Sequence, residues 1–500
     1  MNNEVNMYWY TAISRMLRSN ARARKGAIAL ILALAVLTAP RLVRAQFGLF
    51  LPNLTGFLDS TGIIRTFNQN GNIDLNGPFF QSFGTNGRSC GTCHQPTDAM
   101  GVAAANVALR FDLSLGTDPI FRTNDGSNCN HSIDVSTFQG RRSAYSLLRT
   151  RGLIRIPLAV PAGSDFQVVS VANPYGCSET DVLSMYRRPL PTTNLKFLST
   201  LMWDGRESST QTGTTPISSA NYPTSLMTDL AHQSVDATLI HAQAAAPGLT
   251  AAQQQAIVAF ETGLFTAQSQ DFLAGDLNAQ GANGGPQPVS QQNFYIGIND
   301  PVGLDPSNPV PFNFSTSIFN TFSAWQNSNN PRRAAIARGQ AVFNTKTFTI
   351  TGVAGLNGNT FSNGVTPPAS VVSTCGICHD SPNAGAHSVA APLNIGVADT
   401  PGGNNVLDTS YLPVITICQL PSLATCVRTT DPGRAMITGK FADVGKFKGP
   451  VLRGLAARAP YFHNGSAQSL QDVVTFYNSR FNIGFTPQEE SDLIAFLSSL

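Results

Sequence analysis

The chain has 500 residues, 32 Lys and Arg against 29 Asp and Glu, and a formal charge of +3. Seven of the basic residues and one acidic residue lie in the first 45, so the remainder carries 25 basic and 28 acidic residues, a charge of −3. That balance points away from nucleic acid, while low charge with 43 Gly and 31 Pro suits an exported, loop-rich protein longer than one ordinary domain.

Residues 1–45 read as a secretory signal peptide. Arg18, Arg22, Arg24 and Lys25 precede an apolar run from Gly26 to Thr38, and Val43-Arg44-Ala45 forms a cleavage pattern before Gln46. The run is shorter than the ~20 residues that cross a bilayer. Export to the periplasm is expected, with no membrane span after cleavage and no cysteine at the cleavage site for a lipid.

Residues 46–274 contain Cys90-Gly91-Thr92-Cys93-His94, the Cys-x-x-Cys-His pattern that attaches c-type haem through two thioethers and a histidine–iron bond. Zinc would want a second Cys/His pair nearby, and a redox dithiol does not need the histidine. Further along, Thr250, Gln253, Ile257, Ala259, Phe260 and Leu264 give a capping box followed by an apolar helical face. Residues 275–330, dense in Asn, Gly, Pro and Gln, read as a linker with short helices.

Residues 331–500 repeat the plan. An entry helix is expected from Arg333 to Phe343. It precedes the second haem motif, Cys375-Gly376-Ile377-Cys378-His379, and Thr486, Glu489, Leu493, Ala495, Phe496 and Leu500 echo the first capping-box helix. Pro191, Leu195 and Trp203-Asp204-Gly205 echo Pro450, Leu455 and His463-Asn464-Gly465 with one residue of slippage. The expected fold is therefore mainly α, with two cytochrome c-like haem domains in tandem, long irregular loops and two covalently bound haem c groups. The remaining cysteines, Cys129, Cys177, Cys418 and Cys426, suggest disulfides in an oxidising compartment, and pairing within each half is the most local of three connectivities.

With these pieces in place the chain resembles the bacterial dihaem cytochrome c peroxidase family. The paired haem motifs carry the likeness together with Met202-Trp203-Asp204-Gly205-Arg206-Glu207 and the stretches Lys446–Arg453 and Ala459–Ser466. The resemblance makes His94 and His379 the proximal iron ligands and Trp203 the aromatic bridge between the haems. Tyr477, fourteen residues after His463, stands where the peroxidases carry a methionine ligand. A tyrosine there resembles the branch with the enzyme that matures the methylamine dehydrogenase cofactor, and a hard anionic oxygen favours ferric iron. His463 and Met436 are alternative ligands.

For the N-terminal haem, the peroxidases' distal histidine would fall at Arg110, and His131 is a weak substitute. Ala237 aligns with Tyr477, which implies an open iron face for hydrogen peroxide or dioxygen. Gln233 fills the family's distal glutamine position, Gln243 stands where a glutamate is expected, and His241 is near enough to supply the base. His232 and His241 can equally be polar faces of a helix, and His387 a propionate contact or a surface group. Calcium is doubtful, because Arg188 occupies the place of the family's asparagine. The resemblance implies a small donor protein, a c-type cytochrome or cupredoxin, and admits a homodimer. Peroxidase is the leading function. A dihaem oxidase or oxygenase acting on an organic or protein substrate, and a non-catalytic electron carrier, are the alternatives.

Overall fold

The computed structural model describes residues 49–131, 133–208, 222–302, 314–361, 364–401 and 405–500. The expected signal peptide lies outside the described residues. Contacts divide the chain into two units. Met1–Pro52 with Asn72–Leu75 is one, in which Phe50–Leu51 pairs antiparallel with Ile73–Asp74. Asn53–Gly71 with Asn76–Leu500 is the other, and it contains both haem motifs. No helix among the described residues is long and apolar enough to cross a membrane.

The mainly α expectation is wrong. The described residues hold eleven α-helices but also thirteen strands in five sheets, which makes the fold mixed α/β. The overlooked strands lie where loops were expected. Gly62–Asn68 alternates buried and half-buried residues with the period of two that one covered sheet face demands. It pairs antiparallel with Leu264–Asp271, which leaves the first capping-box helix directly as a strand. Residues 105–180 supply Ile154–Ala159 and Phe166–Ala172. The first pairs with Val182–Arg187, and the second with Val414–Gln419 from the other half. Strand pairing between positions about 250 residues apart leaves no local signature beyond alternation.

The helices follow their local signals more closely. Asn330 caps Pro331–Thr345 by accepting from the amides of Arg332 and Arg333 at 2.9 and 3.1 Å. Both closing helices, Ala251–Thr262 and Pro487–Leu497, begin with reciprocal capping boxes at Thr250/Gln253 and Thr486/Glu489. Pro331–Thr345 crosses Pro487–Leu497 so tightly that a Cβ on Gly339 would sit 1.9 Å from the Asp492 carbonyl oxygen. Phe319, Phe322 and Trp325, from the stretch read as a linker, are fully buried in the core beneath these helices.

Both expected disulfides form, Cys129 to Cys177 and Cys418 to Cys426.

Candidate functional site

The two haem motifs are built alike. Cys90–Cys93 is one short helical turn, and the Cys375–Ile377 turn opens the second motif. In each, the histidine ring nitrogen Nδ1 donates to a carbonyl six residues on: His94 to Met100 at 3.2 Å and His379 to Gly385 at 2.7 Å. With Nδ1 committed, the Nε2 lone pair is the one presented to a metal, the arrangement that fixes a ligating imidazole. A phenylalanine lies against each ring at 6.3 Å, Phe79 on His94 and Phe343 on His379. Burial lowers both histidines, His94 to about 4, so both imidazoles are neutral.

Each motif lines its own large cavity. Burial pushes the thiols of Cys90, Cys375 and Cys378 up to about 12 and raises Cys93 as well. None of the four is in a disulfide, and none belongs to a cluster of metal-ligand side chains among the described residues. Neutral, paired thiols beside a histidine with a free Nε2 suit thioether attachment of haem c better than a thiolate zinc site. The residues therefore fit haem c at both places.

Trp203 lines both cavities. Its Nε1 donates to the Arg188 carbonyl at 2.7 Å, and its ring meets His463 edge-on at 6.1 Å. The internal repeat is geometric here. Leu201 bridges to Glu207 and Tyr461 to Ala467 across matching turns. Met202 and Phe462 have φ of 61° and 64°, and Gly205 and Gly465 have 68° and 66°. Trp203 and His463 thus occupy equivalent positions of one motif, back to back at the junction. Beneath them the buried Arg187 donates to both oxygens of Asp431 at 2.7 and 2.9 Å and to Asp204 at 2.5 Å. His463 stacks on Phe447 at 3.9 Å, and burial lowers it to about 4.

The N-terminal cavity has a polar wall. Gln233, Ala237 and His241 all line it from one helix, Thr224–Ile240, and its C-terminal cap. His241 Nδ1 pairs with Asp125 Oδ2 at 2.5 Å, and Asp125 is ion-paired in turn with buried Arg88. Burial alone would raise the Asp125 carboxyl, but the hydrogen bonds and charges of His241 and Arg88 hold it below the usual range. The His241 carbonyl is pinned by Asn86 Nδ2 at 2.8 Å. His241 is thus held at its backbone carbonyl and at ring Nδ1, and its Nε2 makes no hydrogen bond with the described residues. Glu261, on the closing helix, also lines this cavity; it is 3 % exposed, its Oε2 has no partner, and burial raises it to about 8.

Gln243 does not join this group. The helix ends at Ile240, and Gln243 takes a left-handed conformation with φ of 57°, which turns its exposed side chain toward Asn86 Nδ2 at 3.3 Å, outside the cavity wall. His232 pairs with Glu207 at 2.8 Å and does not line the cavity. Arg110 bonds Asp118 and the Thr92 carbonyl, and exposed His131 pairs with Glu179 at 3.3 Å. Asp125 and Glu261 were not found from sequence. Asp125 lies 116 residues from its histidine, whereas Glu261, a charge on the inner face of an apolar helix, could have been noticed.

The C-terminal cavity is mostly apolar. Tyr477 lines it together with Phe447, Val474 and Ile377. Its hydroxyl has no hydrogen-bond partner among the described residues, and burial, then the neighbouring Cys378 and Cys375, raise it. His387 lines this cavity too, whereas Met436 packs in a separate core with Ile156 and Met185.

No protein-family model matches the chain. It is 32 % identical over 136 residues to cytochrome-c peroxidase IdrP2 of Denitromonas iodatirespirans, covering 25 % of this chain and 35 % of that one. It is 30 % identical over 129 residues to cytochrome c551 peroxidase of Pseudomonas aeruginosa, covering 26 % and 30 %. Over 69 residues it is 41 % identical to cytochrome c551 peroxidase of Nitrosomonas europaea, covering 14 % and 21 %. The resemblance to the dihaem cytochrome c peroxidase family holds. The chain spans about a third or less of the length of these peroxidase relatives. A solved MauG-like protein associated with microbial copper homeostasis covers 64 % of this chain and 76 % of its own at 16 % identity and a TM-score of 0.29, too low for any argument to rest on it.

Proposed function

We propose that the chain is a periplasmic dihaem c-type oxidoreductase that reduces hydrogen peroxide in the N-terminal cavity with electrons passed through the C-terminal one. In this reading Cys90, Cys93 and His94, and Cys375, Cys378 and His379, each attach one haem. A small c-type cytochrome or cupredoxin supplies the electrons. The observation that carries the reading is the asymmetry of the cavities: an oriented His241–Asp125 couple in one, a phenol in the other, and Trp203 in the wall of both.

Bound haem c would supply the iron that exchanges electrons with peroxide. Peroxide takes up two electrons and two protons to give two waters, so the site must move protons as well as electrons. His241 Nε2 accepts a proton from the incoming peroxide and returns it to the departing oxygen, which leaves as water. Asp125 keeps the proton-bearing Nδ1 turned away and stabilises the imidazolium formed in between, the role an orienting carboxylate plays for a catalytic histidine. Gln233 has no hydrogen-bond partner among the described residues, and its amide serves to hold the peroxide. Ala237 leaves room for it. Trp203 is the route for electrons between the cavities.

The test is EPR and optical spectroscopy of the oxidised, haem-loaded protein before and after one equivalent of peroxide. Loss of a high-spin signal within milliseconds, followed by turnover with a reduced small cytochrome, is the expected result. Two low-spin haems indifferent to peroxide would overturn it. Tyr477 favours a second reading, oxidation of an organic or protein substrate. That reading predicts the same reaction with peroxide but no turnover with the reduced cytochrome.

A further inference from the structure

The C-terminal cavity carries positive charge that the protein does not balance. Lys448, Arg458 and Arg188 all line it. Lys448 is 7 % and Arg188 6 % exposed. The Lys448 ammonium makes no hydrogen bond or ion pair with the described residues. Arg458 donates to the Val451 carbonyl at 3.0 Å, and its Nε is buried without a partner. Arg188 reaches carbonyls alone, those of Arg151 at 2.7 Å, Arg458 at 2.8 Å and Val102. No described carboxylate lies within ion-pair distance of any of the three.

Some buried cations of the fold have an anion beside them: Arg187 sits between Asp204 and Asp431, and Arg88 against Asp125. Arg155, Arg434 and Arg453, like these three, have none within ion-pair distance among the described residues; what sets Lys448, Arg458 and Arg188 apart is that all three line one cavity. A buried cation without an anion is costly, and like charges close together add to the cost. Here burial and then the charge of Arg458 lower Lys448 to about 7, and the same two causes lower Arg188 to about 9. Three such groups facing one cavity describe a site for a ligand with carboxylates.

We propose that Lys448 and Arg458, with Arg188, which lines both cavities, are the carboxylate-binding site for the porphyrin propionates in the C-terminal cavity, and that Lys448 thereby sets the potential of that haem. The proposal rests on the cavity being a haem c site. Lys448 is tied to the electron bridge as well: its amide donates to the Trp203 carbonyl at 2.9 Å. A positive charge beside a haem favours the reduced iron, which carries less charge, so Lys448 raises the midpoint potential. It is a positioning and tuning residue and lies outside the N-terminal cavity wall.

The experiment is an EPR-monitored potentiometric titration of the haem-loaded protein, with covalent haem counted first by the pyridine haemochrome. Lys448→Met is expected to shift the C-terminal midpoint downward and leave the N-terminal one in place, while Lys448→Arg restores the wild-type value. Should Lys448→Met load haem poorly, repair of loading by Lys448→Arg supports the site, and Arg458→Gln gives a second potential to compare. Fully loaded Lys448→Met and Arg458→Gln proteins with unmoved midpoints would overturn the proposal alone. Wild-type protein with no covalent haem would instead remove the reading of the cavity, and the site with it.

Discussion

The two cavities share a frame and differ in what faces the middle of it. Both have a neutral histidine held by a carbonyl six residues on, a phenylalanine at 6.3 Å, and a capping-box helix closing the back. Where the C-terminal cavity presents Tyr477 from its opposing helix, the N-terminal one presents Ala237 and, one turn later, His241 backed by Asp125. The difference separates duties within a duplicated scaffold. One side has a buried phenol in its wall, and the other has a small residue and a histidine–carboxylate pair in its place.

The strongest way to break this comparison is to remove the base. His241→Ala should lower peroxide turnover by ~10²–10⁴-fold, the span of general acid–base catalysis, with haem content unchanged. Measurement of kcat alongside the pyridine haemochrome checks it. Asp125→Asn should cost less, on the order of 10²-fold, because the imidazole remains but loses its fixed orientation and the charge that stabilises its protonated form. Asp125 also couples to stability. Its folded pKa is depressed, so its contribution is present above the unfolded carboxylate range and is lost as pH falls through the folded value. Acid unfolding of Asp125→Asn should therefore be less steep than that of wild type. Identical pH profiles would mean that the Arg88–Asp125–His241 chain is not formed in solution.

How much of this could be read beforehand depended on distance along the chain. The haem motifs, both capping boxes and the Trp203/His463 echo are local patterns, and each reappears as local geometry. The strands were hidden because alternation over seven residues such as Gly62–Asn68 is faint beside the helical and loop signals around it, and its partner Leu264–Asp271 lies about 200 residues away. Gln243 stands where the family resemblance puts a glutamate, but the helix that carries Gln233 stops at Ile240. The same ending puts His241 at the cavity wall.

A smaller effect sharpens the other side of the comparison. Tyr477→Phe keeps the ring in its packing against Phe481 and removes only the oxygen. Burial favours the neutral phenol, so ionisation of Tyr477 requires the iron charge to outweigh it. If it does, the variant should lose a visible charge-transfer band and show a raised C-terminal midpoint, since an anionic oxygen donor favours ferric iron. An unchanged spectrum would assign Tyr477 to packing and leave the sixth position to another group.

The smallest expected effect concerns the backs of the cavities, where the two closing helices differ at a position that lines them. Phe260 and Phe496 correspond, so Glu261 stands where the other helix has Leu497, and both are buried. An apolar residue there costs nothing to bury, whereas a carboxyl must stay protonated, and Glu261 is raised from the ordinary 4.5 to about 8. The folded protein thus holds a proton that the unfolded chain releases above about pH 4.5. Stability from this group is full below that pH and declines as pH rises toward 8, by roughly 1.4 kcal/mol per unit. Glu261→Gln should flatten that decline in denaturant titrations run across the interval, and Glu261→Leu should do so while also making the N-terminal cavity as apolar at its back as the C-terminal one. If both variants load haem and keep peroxide turnover, the proton chemistry belongs to His241 and Asp125 alone. If turnover falls while stability rises, the carboxyl has been retained at a cost to the fold because the N-terminal cavity uses its proton.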